Sequence, residues 1–95
     1  MATSSVDPGL RLARLARALG HPARVAIIHF LRNQAGAVPC GEIVSQLPLA
    51  QSTVSQHLRV LVEAGFVIRE AAPPLVRYRI DPRGLAELKR LAGEL

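Results

Sequence analysis

The sequence predicts a mostly α fold with a small β-hairpin, in the order α-α-α-α-β-β-α, and three observations carry that expectation. Hydrophobic residues reach 49% while aromatics make up only 3%, so the core must come from Leu, Ile, Val and Ala, as in packed helices. A capping residue followed by proline recurs at Asp7-Pro8, His21-Pro22 and Asp81-Pro82, the pattern of a helix start with proline at its first position. Val76, Tyr78 and Ile80 alternate with Arg77 and Arg79, which is the period of a half-buried strand. At 95 residues the chain is expected to form one small domain with little spare stability.

In chain order, residues 1–6 read as a flexible tail and residues 7–95 as a single domain. The first helix opens at Asp7-Pro8, lines one face with Leu12, Leu15, Ala16 and Leu19, places Arg11, Arg14 and Arg17 elsewhere, and closes at Gly20. The second opens at His21-Pro22. Val25, Ile27, Ile28, Phe30 and Leu31 leave it apolar nearly all round, as expected of a central core helix. Residues 34–39 read as a loop bearing Gly and Pro, and residues 41–47 as a short third helix resting on Ile43, Val44 and Leu47. Pro48 stops it. Pro48, Leu49 and Ala50 then leave a connection of only three residues to the next helix, the spacing of a helix-turn-helix.

The fourth helix, within LAQSTVSQHLRVLVEAG at 49–65, is the informative one. At 3.6 residues per turn Val54, Leu58, Leu61 and Val62 form a core-facing stripe. Ser52, Ser55, Gln56, Arg59 and Glu63 fall on the opposite, wet side. Hydroxyls, amides and an arginine near a helix start have the donors and acceptors that read base edges, and the helix N-terminus itself favours phosphate. Gly65 ends the helix. Residues 66–71 and 75–80, with a turn at Ala72, Pro73 and Pro74, read as a hairpin. Asp81-Pro82 starts the last helix, whose apolar side carries Leu85, Leu88, Leu91, Ala92 and Leu95.

Charge points the same way. The net charge is +5, and eleven of the twelve basic residues are arginine, the side chain that pairs bidentately with phosphate and guanine. Leu12, Leu15 and Leu19 together with Leu85, Leu88 and Leu91 supply more apolar stripe than a monomer of this size readily covers, which predicts a homodimer interface.

The run VSQHLRVLVEAGFV, with LGHPARVAIIHFL before it and RYRID after it, resembles the winged helix-turn-helix repressors of the ArsR/SmtB family. The likeness covers most of the chain. It implies a homodimer built by the terminal helices, a recognition helix beginning near Gln51 that enters the major groove, and a hairpin wing. Carried over residue by residue, Gln51, Ser52, Thr53, Ser55, Gln56 and Arg59 become candidate contacts to double-stranded DNA, and Arg69, Arg77 and Arg79 candidate phosphate or minor-groove contacts from the wing. A two-fold dimer places its recognition helices about 34 Å apart, one turn of DNA, and predicts an inverted-repeat operator.

The chain departs from that family pattern in three places. Pro39 and Gly41 stand where metal-sensing relatives carry Cys-x-Cys, leaving Cys40 alone between them. The last helix, RGLAELKRLAGEL, has no histidine for the second kind of metal site. No metal or cofactor is therefore expected; the effector is an unidentified small molecule or a redox signal at Cys40, or there is none. The wing tip AAPPL is apolar and stiff where basic residues are usual. His21 reads as a cap or surface residue, His29 as solvated, and His57 as a border residue with a packing or hydrogen-bonding role.

Other function classes find little support. Seven acids, three separated histidines and one cysteine supply no nucleophile beside a base and no carboxylate pair, so no enzyme activity is expected. No apolar run approaches the ~18 residues of a membrane span, and the N-terminus lacks a signal-peptide pattern, so a cytoplasmic protein is expected. The alternative is a winged-helix protein-interaction module that does not bind DNA.

Overall fold

The computed structural model describes residues 7–95; the expected tail at 1–6 lies outside the described residues. Five helices and three strands follow one another as α1 (Pro8–Leu19), α2 (Pro22–Arg32), β1 (Val38–Pro39), α3 (Cys40–Val44), α4 (Gln51–Ala64), β2 (Val67–Ala72), β3 (Leu75–Ile80) and α5 (Pro82–Gly93). The three proline-marked starts are real caps. Asp7 Oδ1 accepts from the N–H groups of Gly9 and Leu10, His21 Nδ1 from Ala23, and Asp81 Oδ1 from Arg83, each satisfying donors that the first helical turn leaves free.

One hydrophobic cluster joins all the helices. Leu15 of α1, Ile27 and Leu31 of α2, Ile43 of α3, Val54, Leu58 and Leu61 of α4, and Phe66 are all fully buried in it. The stripe read along α4 is thus the face that docks on α1, α2 and α3. Its C-terminus closes on Gly65, whose φ of 90° is open to glycine at no steric cost; Gly65 N–H bonds Val62 O and Phe66 N–H bonds Leu61 O. Phe66 O in turn accepts from Asp81 N–H, so the end of α4 and the start of α5 are tied together.

Several boundaries and one helix face differ from expectation. Residues 34–39 contain a short strand: β1 pairs with β3, Val38 opposite Tyr78, giving an antiparallel sheet of order β1-β3-β2. Two residues are too few to show a period, and Pro39 is tolerated because it lies on an edge strand. The helix expected over 41–47 begins one residue earlier and ends at Val44, after which bonds of Gln46 to Ile43 and of Leu47 to Val44 tighten the chain into turns. The first hairpin strand starts at Val67, because Phe66 is spent on closing α4, and it includes Ala72, expected in the turn, which pairs with Leu75. Val25, read as part of an all-round apolar helix, is 40% exposed, so α2 has one solvent-facing side.

Candidate nucleic-acid interface

The helix-turn-helix is formed by α3 and α4, with residues 45–50 between them. Because α4 buries Val54, Leu58 and Leu61, it must turn Gln51, Ser52, Ser55, Gln56 and Arg59 to solvent, and all five are exposed. Thr53 is half-buried beside them. No side chain caps α4, since its N-cap residue is Ala50. The N–H groups of its first turn therefore meet no side-chain acceptor at the cap and remain open to an anion.

The wing splits the three arginines assigned to it. In the β2–β3 register Arg69 stands opposite Tyr78, and both face α4, where they line a cleft of about 360 Å³ with Ser55, Arg59, Val62 and Glu63. Arg77 and Arg79 alternate to the other face of the hairpin. There Arg79 Nε donates to Glu70 Oε2, while Arg77 is exposed. Tyr78 is absent from the candidate contacts named above. Its signal is the alternation itself, which puts a phenol among the inward residues Val76 and Ile80 and so brings a polar tip to the edge of α4. The wing tip at Pro73 and Pro74 is exposed, and Leu75 beside it is 52% exposed.

On the opposite flank α4 is held by a polar clamp. Arg24 of α2 donates from Nε to His57 Nδ1 at 3.1 Å and from a terminal nitrogen to the carbonyls of Ala18 and Arg17 at 3.1 and 3.4 Å. The His21 ring lies 4.4 Å from that of His57, centroid to centroid. Burial, then the neighbouring His21 ring and Arg24 guanidinium, lower the His57 pKa, which favours the neutral imidazole whose Nδ1 can accept. His57 thus serves the packing of α4, and His21 is a cap; His29 is exposed.

Cys40 begins α3, half-buried, with Sγ 3.9 Å from Ser55 Oγ. One thiol beside a hydroxyl is a poor donor set for the soft-metal site of thiolate-sensing relatives, and no group of three or more His, Cys, Asp or Glu among the described residues is placed to hold a metal ion. The leucines assigned to dimerisation also divide. Leu15 and Leu91 are only 1% and 5% exposed and belong to the chain's own core, because α1 and α5 pack on each other within the chain. Leu12, Leu19, Leu85 and Leu88 are half-buried, while Leu10 and Leu95 are exposed.

Comparison with known proteins places this arrangement. Residues 19–70, from the end of α1 into the first strand of the hairpin, match the model of a helix-turn-helix domain family. A solved structure described as a possible transcriptional regulator for arsenical resistance superimposes with a TM-score of 0.76 at 32% identity, over 84% of this chain and 81% of that one. The chain belongs to the ArsR/SmtB family of helix-turn-helix transcriptional regulators. Among curated relatives, the HTH-type transcriptional repressor SmtB of Mycobacterium tuberculosis is 40% identical over 74 residues, 78% of this chain and 53% of that protein. The HTH-type transcriptional regulator Rv2034 of the same organism is 38% identical over 73 residues, 77% and 66% of the two lengths. The chain therefore spans roughly half to two thirds of the length of these two ArsR/SmtB relatives. No helix among the described residues is long and apolar enough to cross a membrane.

Proposed function

We propose that two copies of this chain bind an inverted-repeat operator in double-stranded DNA, in the cytoplasm, and repress transcription by occupying it. The observation that carries the reading is the exposed row Ser52, Ser55, Gln56 and Arg59 on a helix whose other side is locked into the core. Such a row enters the major groove as a rigid unit, with Gln51 and Thr53 reaching from its first turn and Arg69 meeting phosphate beside it. Arg77 extends the phosphate contacts from the outer face of the wing, and Arg79 can join them only by leaving Glu70. Pairing of subunits uses Leu12, Leu19, Leu85 and Leu88 with the exposed Leu95. The single thiol and the histidine-free α5 support an operator release that does not run through the family's metal sites.

The exposed, apolar wing tip around Leu75 favours a second reading, a protein-interaction module. Binding of the purified protein to a genomic fragment library at several salt concentrations separates the two. The proposed function predicts enrichment of one inverted repeat, weakening steeply with salt and lost in Ser55→Ala and Arg59→Ala. Uniform weak binding or none would favour the interaction module.

A further inference from the structure

The polar row of α4 lies between two clefts, and both are lined by arginine. The cleft on the wing side holds Arg59 and Arg69. The other, about 300 Å³, is formed where α1 and α2 meet the Val60 side of α4, and is lined by Arg14, Arg17, Ala18 and Arg24. Arg14 and Arg17 are three residues apart in α1, so they point to the same side of it. Both are exposed, and neither meets a carboxylate among the described residues, whereas Arg11 of the same helix is paired with Glu87. Helical spacing puts them on the side of α1 away from Leu12 and Leu19, so a second copy on the leucine side leaves them uncovered.

Arg24 completes the arrangement from within the fold. Its Nε and Nη1 donate to His57 and to the carbonyls of Arg17 and Ala18, and its charge adds to that of the cleft. Those carbonyls belong to the negative end of α1, which would otherwise repel an anion arriving in this cleft. With that end covered, the cleft presents positive charge alone.

An α-helix with its side chains is about 10–12 Å across and the major groove about 12 Å wide, so a helix seated there has a phosphate backbone on each flank, one from each strand. We propose that Arg14 and Arg17 of α1 bind backbone phosphates of the DNA strand opposite to the one met by Arg69 and the wing, so that each subunit grips both walls of the groove. The inference rests on the DNA-binding reading above and adds two contacts to it. Such contacts set affinity and register and carry no sequence information.

The test uses a duplex that the wild-type protein selects from a random library, with binding measured between about 50 and 200 mM salt. Arg14→Ala and Arg17→Ala should each reduce the slope of log affinity against log salt by about 0.9 for every phosphate no longer neutralised, and leave the selected sequence unchanged. Phosphate ethylation should interfere with wild-type binding on both strands flanking each half-site, and with the double alanine variant on one strand only. The double lysine variant should restore most of the slope, and unchanged thermal unfolding of each variant confirms that the fold is intact. A selected duplex whose slope and ethylation pattern are the same in wild type and double alanine variant overturns the inference while DNA binding stands. Selection of no duplex by the wild type overturns both.

Discussion

His57 shows how a side chain on the recognition helix can serve its position rather than its chemistry toward DNA. Its Nδ1 accepts from Arg24, which also holds the end of α1, so one imidazole links α4 to two other helices. A proton on Nδ1 removes that acceptor and adds positive charge beside Arg24 and His21. Because folding lowers the His57 pKa, the unfolded chain binds this proton more tightly than the folded one. The stabilisation is therefore fully present above the ordinary histidine pKa of about 6.5 and is lost as pH falls through the lowered value. Denaturant unfolding at about pH 7.5 and 5.5 should show wild type losing stability at the lower pH, and His57→Gln losing less. Equal losses in the two proteins would assign the pH dependence elsewhere. The border position of His57 was legible from helical spacing, but its partner was not, since Arg24 is 33 residues away and nothing local links them.

At the scale of elements, local chemistry wrote most of the fold. Three cap-plus-proline pairs set the starts of α1, α2 and α5, and the spacing of Val54, Leu58 and Leu61 set the buried side of α4. The elements that escaped were those decided by pairing. β1 exists because β3 offers it an edge, and Arg69 parts from Arg77 and Arg79 because the register of the hairpin fixes which residues share a face. Glycine at 84 is a further case that only packing explains. A Cβ there would lie 2.2 Å from the carbonyl oxygen of Gly65, so α5 crosses the end of α4 at a distance that admits no side chain. Gly84→Ala should cost about 1–3 kcal/mol by forcing the two helices apart, read as a lowered denaturant midpoint with an unchanged slope. A midpoint equal to that of the wild type would mean that α5 shifts freely, contrary to the tie between Phe66 and Asp81.

Across the whole molecule, the positive charge is not spread evenly. Arg11, Arg79, Arg83 and Arg90 are held by carboxylates, while Arg14, Arg17, Arg59 and Arg69 line the two clefts beside α4 without an ion pair among the described residues. Pairing some arginines and leaving others open concentrates the field on the side that presents Ser52, Ser55 and Gln56, which would steer a polyanion to the residues proposed to read it. The net charge was visible in composition; its distribution depends on which helices meet, and so was not. The proposed pairing of subunits would fix the distance between two such surfaces, and the spacing of half-sites tests that pairing directly. Affinity should be measured for the selected inverted repeat and for the same duplex with about five base pairs inserted at its centre, which turns one half-site to the far side of the helix. A two-fold pair should lose affinity on insertion, down to that of a single half-site, with one subunit left out of register. Equal affinity for both duplexes would contradict a two-fold pair reading DNA through α4.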